Sequence, residues 1–119
     1  MSEISSIDVR NDDGVIVARV EGEVDLSNAR ELGERLTAAV PNAALGVVMD
    51  LSGTTYLDSS GVHLMFELAA RLGSRQQQLR VALPETAPLR RVLTVVDLES
   101  TVPIAASVDE AVAEIRAAP

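Results

Sequence analysis

The chain contains no cysteine, no lysine and a single histidine, His63. Each shortage removes a class of chemistry. Without Cys there is no thiol nucleophile, disulfide or thiolate metal site, and without Lys there is no Schiff base and no phosphate-gripping lysine of the Walker type. One histidine cannot build a multi-His zinc site. No apolar stretch approaches the roughly 20 residues that span a bilayer. The start Met1-Ser2-Glu3 shows no basic segment followed by an apolar run, so nothing there directs secretion and the cytoplasm is the expected compartment. Positive charge is scarce as well: 10 Lys+Arg, all of them Arg, stand against 18 Asp+Glu, for a net charge of −8. That balance repels phosphate backbones and acidic lipid, so neither nucleic acid nor a membrane is an expected partner, and no cofactor is called for.

What remains is a globular composition. With 119 residues, 47% of them hydrophobic and 24% charged, the chain has room for one compact domain. Ile4, Ile7 and Val9, then Asn11-Asp12-Asp13-Gly14, then Val15 to Val20 read as two strands around a tight turn. Ser27 or Asn28 is placed to cap a helix with apolar positions Leu32, Leu36, Ala39 and Val40, ended by Pro41. Gly46 to Leu51 reads as a buried strand, Ser52 to Leu57 as a loop, and Ser60 to Leu72 as a second helix. A strand over Leu79 to Leu83, a short helix over Leu89 to Val96 and a strand over Val102 to Ala105 follow. Ser107-Val108-Asp109-Glu110 is a capping box opening a last helix with Val108, Val112 and Ile115 inward. The fold class is α/β: a mixed β-sheet opening with a β-hairpin, then alternating helices and strands, with about four helices.

One loop carries a chemical signal. Met49 to Gly61 runs from the buried strand into a helix N-terminus, where sheets of this kind display their functional residues. On a wheel of about 100° per residue, Gly61, Val62, Leu64, Met65, Phe66, Leu68, Ala69 and Leu72 form an apolar arc of roughly 200°. Ser60, His63, Glu67, Arg71 and Ser74 fall on the opposite side, so Ser60 points outward, while Asp58 and Ser59 sit where caps accept free N–H groups. Phe66 and Leu64 lie at the arc's edges, where partial exposure is expected. Plainer readings exist for most of these residues. Asp58-Ser59-Ser60 reads equally as an ordinary helix start, Glu67 and Arg71 as a solvated pair at four-residue spacing, and Asp12-Asp13 as a solvated turn.

Val48-Met49-Asp50-Leu51-Ser52-Gly53 followed by Tyr56-Leu57-Asp58-Ser59-Ser60-Gly61 resembles the signature of the STAS domain in its bacterial anti-sigma factor antagonist form. Glu21-Gly22-Glu23-Val24-Asp25 resembles the family's Gly-Glu-Leu-Asp turn, and Leu89 to Leu93, Asp97-Leu98 and Val108 to Ala113 its closing segment. The likeness implies a single STAS domain over residues 1–119, with its core over about 4–115. It further implies partner switching. The unmodified antagonist binds an anti-sigma factor that is also a serine kinase of the histidine-kinase-like ATPase fold, releasing the sigma factor; phosphorylation ends binding, and a serine phosphatase restores it. The family's phosphoacceptor maps to Ser60. Asp25, Ser27, Asn28, Asp58, Ser59, Gly61, His63, Phe66 and Glu67 border the implied binding face, on a protein expected to be a monomer when free. Two positions depart from the family pattern: Val62-His63 replaces the usual small pair after the loop glycine, and Asp97 stands where many relatives have Gly.

Other functions fit fewer residues. A serine hydrolase built on Ser60, His63 and Glu67 or Asp58 would lack the Gly-x-Ser-x-Gly elbow and an enclosed oxyanion site. A two-component receiver needs a lysine the chain does not have. A free-standing STAS subunit or scaffold of a lipid transport or stress-sensing complex shares the fold, and only the retained Ser60 separates it from the antagonist.

Overall fold

A computed structural model describes residues 6–118. Ile4, expected to open the first strand, lies outside them. The opening hairpin joins β1 (Ser6–Asp12) to β2 (Val15–Val24) in antiparallel register from Ser6↔Glu21 to Asp12↔Val15. Its two-residue turn puts Asp13 at φ 49° and Gly14 at φ 96°, the left-handed pair that matches strand twist, and Asn11 Oδ1 accepts the Gly14 N–H at 2.8 Å. Then come α1 (Ala29–Ala39), β3 (Gly46–Asp50), β4 (Thr54–Leu57) and α2 (Ser59–Gly73). The chain closes with β5 (Gln78–Ala82), α3 (Leu89–Val95), a 3-10 turn over Leu98–Ser100, β6 (Ile104–Ala105) and α4 (Val108–Ala117).

The strand order is β1-β2-β3-β5-β6, parallel from β2 onward. Alternation along β2 sends Ile16, Ala18, Val20 and Val24 into one core with Leu32, Leu36, Met65, Leu68 and Leu93 from the helices, while Val15 and Val17 meet Ala111, Val112 and Ile115 of α4 on the other face. At Gly46 the strands β3 and β5 approach so closely that an added Cβ would lie 2.6 Å from the Gln78 carbonyl oxygen. Gln77, just before β5, fastens the connection between α1 and β3: its Nε2 donates to the carbonyls of Pro41, Asn42 and Ala44 at 2.9, 3.3 and 3.1 Å.

Three expectations need correction. The stretch Ser52 to Leu57 is not all loop, because Thr54–Leu57 forms β4, which pairs in parallel with the far end of β2 beyond a register shift at Gly22/Glu23. Only Ile104–Ala105 of the expected last strand pairs with β5; Val102 instead fills the core. Asn28 stands at the N-cap position of α1 without capping it through its side chain. The capping box of α4 does form: Ser107 Oγ accepts the Glu110 N–H at 3.2 Å, and Glu110 Oε2 accepts the N–H of Ala106, one residue ahead of the cap.

Asp97 adopts φ 54° and ψ 45°, a left-handed conformation that glycine enters freely and a side chain enters at a cost of about 1–2 kcal/mol. This accounts for the glycine expected at the position. Asp97→Gly should therefore unfold at a urea concentration equal to or above the parent's, whereas Asp97→Val should lose about 1–2 kcal/mol, measured in the same equilibrium titration.

Candidate functional site

The site is assembled where β2, β4 and α2 meet. Asp58, extended at φ −95° and ψ −171°, caps α2: its Oδ1 accepts the N–H groups of Ser60 at 2.8 Å and Gly61 at 3.2 Å, while its own N–H donates to the Val24 carbonyl at 3.2 Å. Gly61 then passes too near β2 and β4 for any side chain, since a Cβ there would lie 2.4 Å from Leu57 Cδ1 and 3.2 Å from Val24 Cγ1. Cap and close approach together fix the first turn of α2. Ser59 is its exposed first residue, and Ser60, half-buried, is its second.

The facing loop is built from within. Asp25 Oδ1 accepts both the N–H and the hydroxyl of Ser27, at 2.9 and 2.5 Å. Asn28 is 3% exposed; its Oδ1 accepts the Asp25 N–H at 3.0 Å and its Nδ2 donates to the Glu23 carbonyl at 2.8 Å. The loop is thereby held against the end of β2, and Leu26 at its tip stands 82% exposed.

Two depressions meet at that leucine. The larger, about 660 Å³, runs between α1 and α2, with Ser59, Ser60 and Leu26 at its mouth and Ala29, Gly33, Leu64 and Leu68 along its floor. Arg30 and Glu34 line it from α1, and His63, Glu67 and Arg71 from α2. The smaller, about 510 Å³, is bounded by Asp25, Leu26, Ser27, Tyr56 and Asp58. Leu64 packs into the space left by Gly33, where an added Cβ would lie 2.6 Å from Leu64 Cδ1.

The structure brings together most of the residues singled out in the sequence. Asp25, Ser27, Asp58, Ser59, Ser60, His63 and Glu67 share this one end of the molecule. Asn28 and Gly61 are buried, so they shape the surface from beneath and offer nothing to a docking partner. Leu64, expected at a partly exposed edge, is only 8% exposed, whereas Phe66 is half-buried against the core. The anticipated Glu67–Arg71 pair does not form: Glu67 Oε1 lies 3.4 Å from His63 Nε2, and Arg71 donates to Thr37 Oγ1 of α1 at 3.2 Å. His63 and Glu67 are both largely exposed, which leaves no enclosed chamber around the hydroxyl of Ser60. Leu26 and half-exposed Tyr56 were not foreseen. The available signal was an apolar residue inside the polar turn Asp25-Leu26-Ser27, off the stripe of α1.

The remainder of the signature proves architectural. Asp50, buried at the end of β3, accepts the N–H and hydroxyl of Ser52 at 3.0 and 2.7 Å and sits 3.5 Å from Arg19. Thr54 Oγ1 donates to the Val20 carbonyl at 2.8 Å, and Gly22 N–H to the Gly53 carbonyl at 3.0 Å, so the strand-to-helix connection is tied to β2 at two points.

A fold of this order, with an acidic cap and a serine at the mouth of α2, defines a class, and the chain belongs to the STAS-domain family, whose profile matches residues 6–111. Its sequence is 33% identical over 107 residues to BtrV of Bordetella bronchiseptica, named as a candidate anti-sigma factor antagonist; the match covers 89% of this chain and 90% of that protein. An anti-sigma factor antagonist from Mycobacterium paratuberculosis superposes with a TM-score of 0.79 over 94% of each chain, at 28% identity. The Bacillus cell-fate determinant SpoIIAA, in its phosphorylated form, shares the fold with a TM-score of 0.65 over 93% of this chain and all of that one, at 21% identity.

The two polar anchors of the site are separable by stability. Asn28→Ala should lose about 1–3 kcal/mol, because it removes a buried side chain whose two hydrogen bonds satisfy the Asp25 N–H and the Glu23 carbonyl. Asp58→Ala should lose about 0.5–2 kcal/mol while Asp58→Asn, which still caps, stays near the parent; urea unfolding followed by circular dichroism distinguishes the three.

Proposed function

We propose that this protein is an anti-sigma factor antagonist that works by partner switching, with Ser60 as its phosphate acceptor. The observation that carries the reading is the position of Ser60: a partly exposed residue on the first turn of α2, lining an open groove beside the exposed Leu26. The identity to BtrV and to the mycobacterial antagonist supports it. In its unmodified form the chain binds an anti-sigma factor that is also a serine kinase of the histidine-kinase-like ATPase fold, and so frees the sigma factor in the cytoplasm. Phosphorylation at Ser60 dissolves the complex, and a serine phosphatase resets it. The chain itself acts as substrate and ligand rather than as catalyst.

Electrostatics supplies the switch. A phosphoryl group adds about −1.5 to −2 charges and three acceptor oxygens. Within the protein, the positive end of the α2 dipole accommodates the added charge, so the fold is kept. A partner surface shaped around a neutral hydroxyl has no such compensation. Burying the new charge unpaired there costs several kcal/mol, and Asp25 and Asp58 already make the neighbourhood acidic. A loss of about 4 kcal/mol is roughly a thousandfold in affinity. Leu26 supplies the complementary part: an apolar side chain held out by a rigid loop has little ordering entropy left to lose on binding.

Incubation with the kinase and ATP should add one phosphoryl group, located by mass spectrometry at Ser60 and absent from Ser60→Ala. By calorimetry Ser60→Ala should bind the kinase as the parent does, and Ser60→Asp on the order of a hundredfold more weakly. Equal affinities for these two variants would remove the switch. Leu26→Asp should weaken the complex by roughly thirtyfold or more without lowering the stability of the free protein.

A further inference from the structure

β1 is the exposed edge of the sheet: it pairs with β2 on one side, and no other described strand pairs with its outer side. The turn determines which of its backbone groups face outward. In a two-residue hairpin the closing pair, Asp12 and Val15, is hydrogen-bonded, and bonded and non-bonded pairs alternate from there. Asp12, Arg10, Asp8 and Ser6 therefore spend their N–H and C=O groups on β2, leaving those of Asn11, Val9 and Ile7 directed away from the sheet.

Side chains divide by the same alternation. Ile7 and Val9 lie opposite Val20 and Ala18, on the face of the main core, yet Val9 is still 40% exposed because only its own sheet flanks it. Asp8, Arg10 and Asp12 occupy the other face. Edge strands are commonly protected by charge, by proline or by a bulge. A guard of one sign repels its own copy, whereas this strand alternates sign, with Arg10 between Asp8 and Asp12.

We propose that β1 is a homodimerisation edge, on which a second copy of this chain adds its β1 antiparallel about a two-fold axis through Val9. That axis makes the register self-consistent. Val9 meets Val9 of the copy, and Ile7 meets Asn11, in each case through backbone groups already directed outward. Asp8 falls opposite Arg10 of the copy, and Arg10 opposite Asp8, at non-hydrogen-bonded positions where side chains come closest. The exposed face of Val9 is covered in the same step. A two-fold axis closes the assembly at two chains, since each copy uses the only long free edge among the described residues. The net charge of −8 on each chain opposes association at long range, but at 0.15 M salt that repulsion is screened beyond about 8 Å while contact pairs persist. None of the residues lining the two depressions around Leu26 belongs to β1, so both copies keep that end open. The monomer expected from the sequence is thus the dilute form.

Sedimentation velocity at physiological ionic strength tests the register directly. The weight-average mass should rise with concentration from 12.6 kDa toward twice that value. Asp8→Arg alone and Arg10→Asp alone should each weaken association by about tenfold or more, since each replaces two attractive pairs with two repulsive ones. The double variant D8R/R10D exchanges the charges and should recover affinity to within about threefold of the parent. Val9→Pro removes an N–H that β2 does not use, so it should abolish dimerisation while leaving the monomer folded by circular dichroism. A parent that stays at 12.6 kDa at every concentration overturns the proposal. So does a dimer that ignores Val9→Pro, or one whose single-charge variants are not rescued by the exchange.

Discussion

Everything at the functional end hangs on the carboxylate of Asp58. One oxygen takes two N–H groups from the first turn of α2, and the backbone of the same residue is bonded to the last residue of β2. Strand and helix are thereby joined through a single residue, and the direction in which the helix leaves the sheet is set before any side chain packs. The buried glycine that follows tightens the constraint, because the helix lies against Leu57 and Val24 with no room for a methyl group. A serine placed next to such a junction has its orientation decided by the framework. That is the condition under which a small chemical change on one hydroxyl alters an interface and leaves the fold alone.

Much of this was legible without coordinates. The period of α2 is long and regular, so the outward direction of Ser60 and His63 follows from spacing alone, and the hairpin turn and the capping box announce themselves through Asp13-Gly14 and Ser107-x-x-Glu110. The failures share one cause, which is that burial is a tertiary property. Asn28 has the composition of a helix cap, but its contacts come from the end of β2, several residues back in the chain. β4 has four residues and buries only its two ends, a pattern without the alternation that betrays a strand. For Leu26 the polar turn around it marks an apolar residue off the stripe of α1, but not whether the loop holds it out or folds it under.

The two faces of the sheet carry different duties. On one, α1, α2 and α3 cover a continuous core and leave the groove whose mouth holds Ser60. On the other, α4 covers Val15, Val17, Val48 and Ala82, and beside it Arg19 links Asp50 and Glu21, and Arg116 reaches back to the hairpin at Asp12 and Asp13. Exposed pairs of this kind contribute little stability individually. They lie at the turn and the strand ends, away from the groove lined by α1 and α2.

Gly33 shows how the groove can be altered. This residue has a hydrogen atom where every other amino acid has at least a methyl group, and Leu64 leans into the space that is left. A side chain at this position would displace the end of Leu64 and so reshape the lining of the cleft. One position on α1 can therefore alter what the cleft admits while the cap of α2 at Asp58 stays as it is.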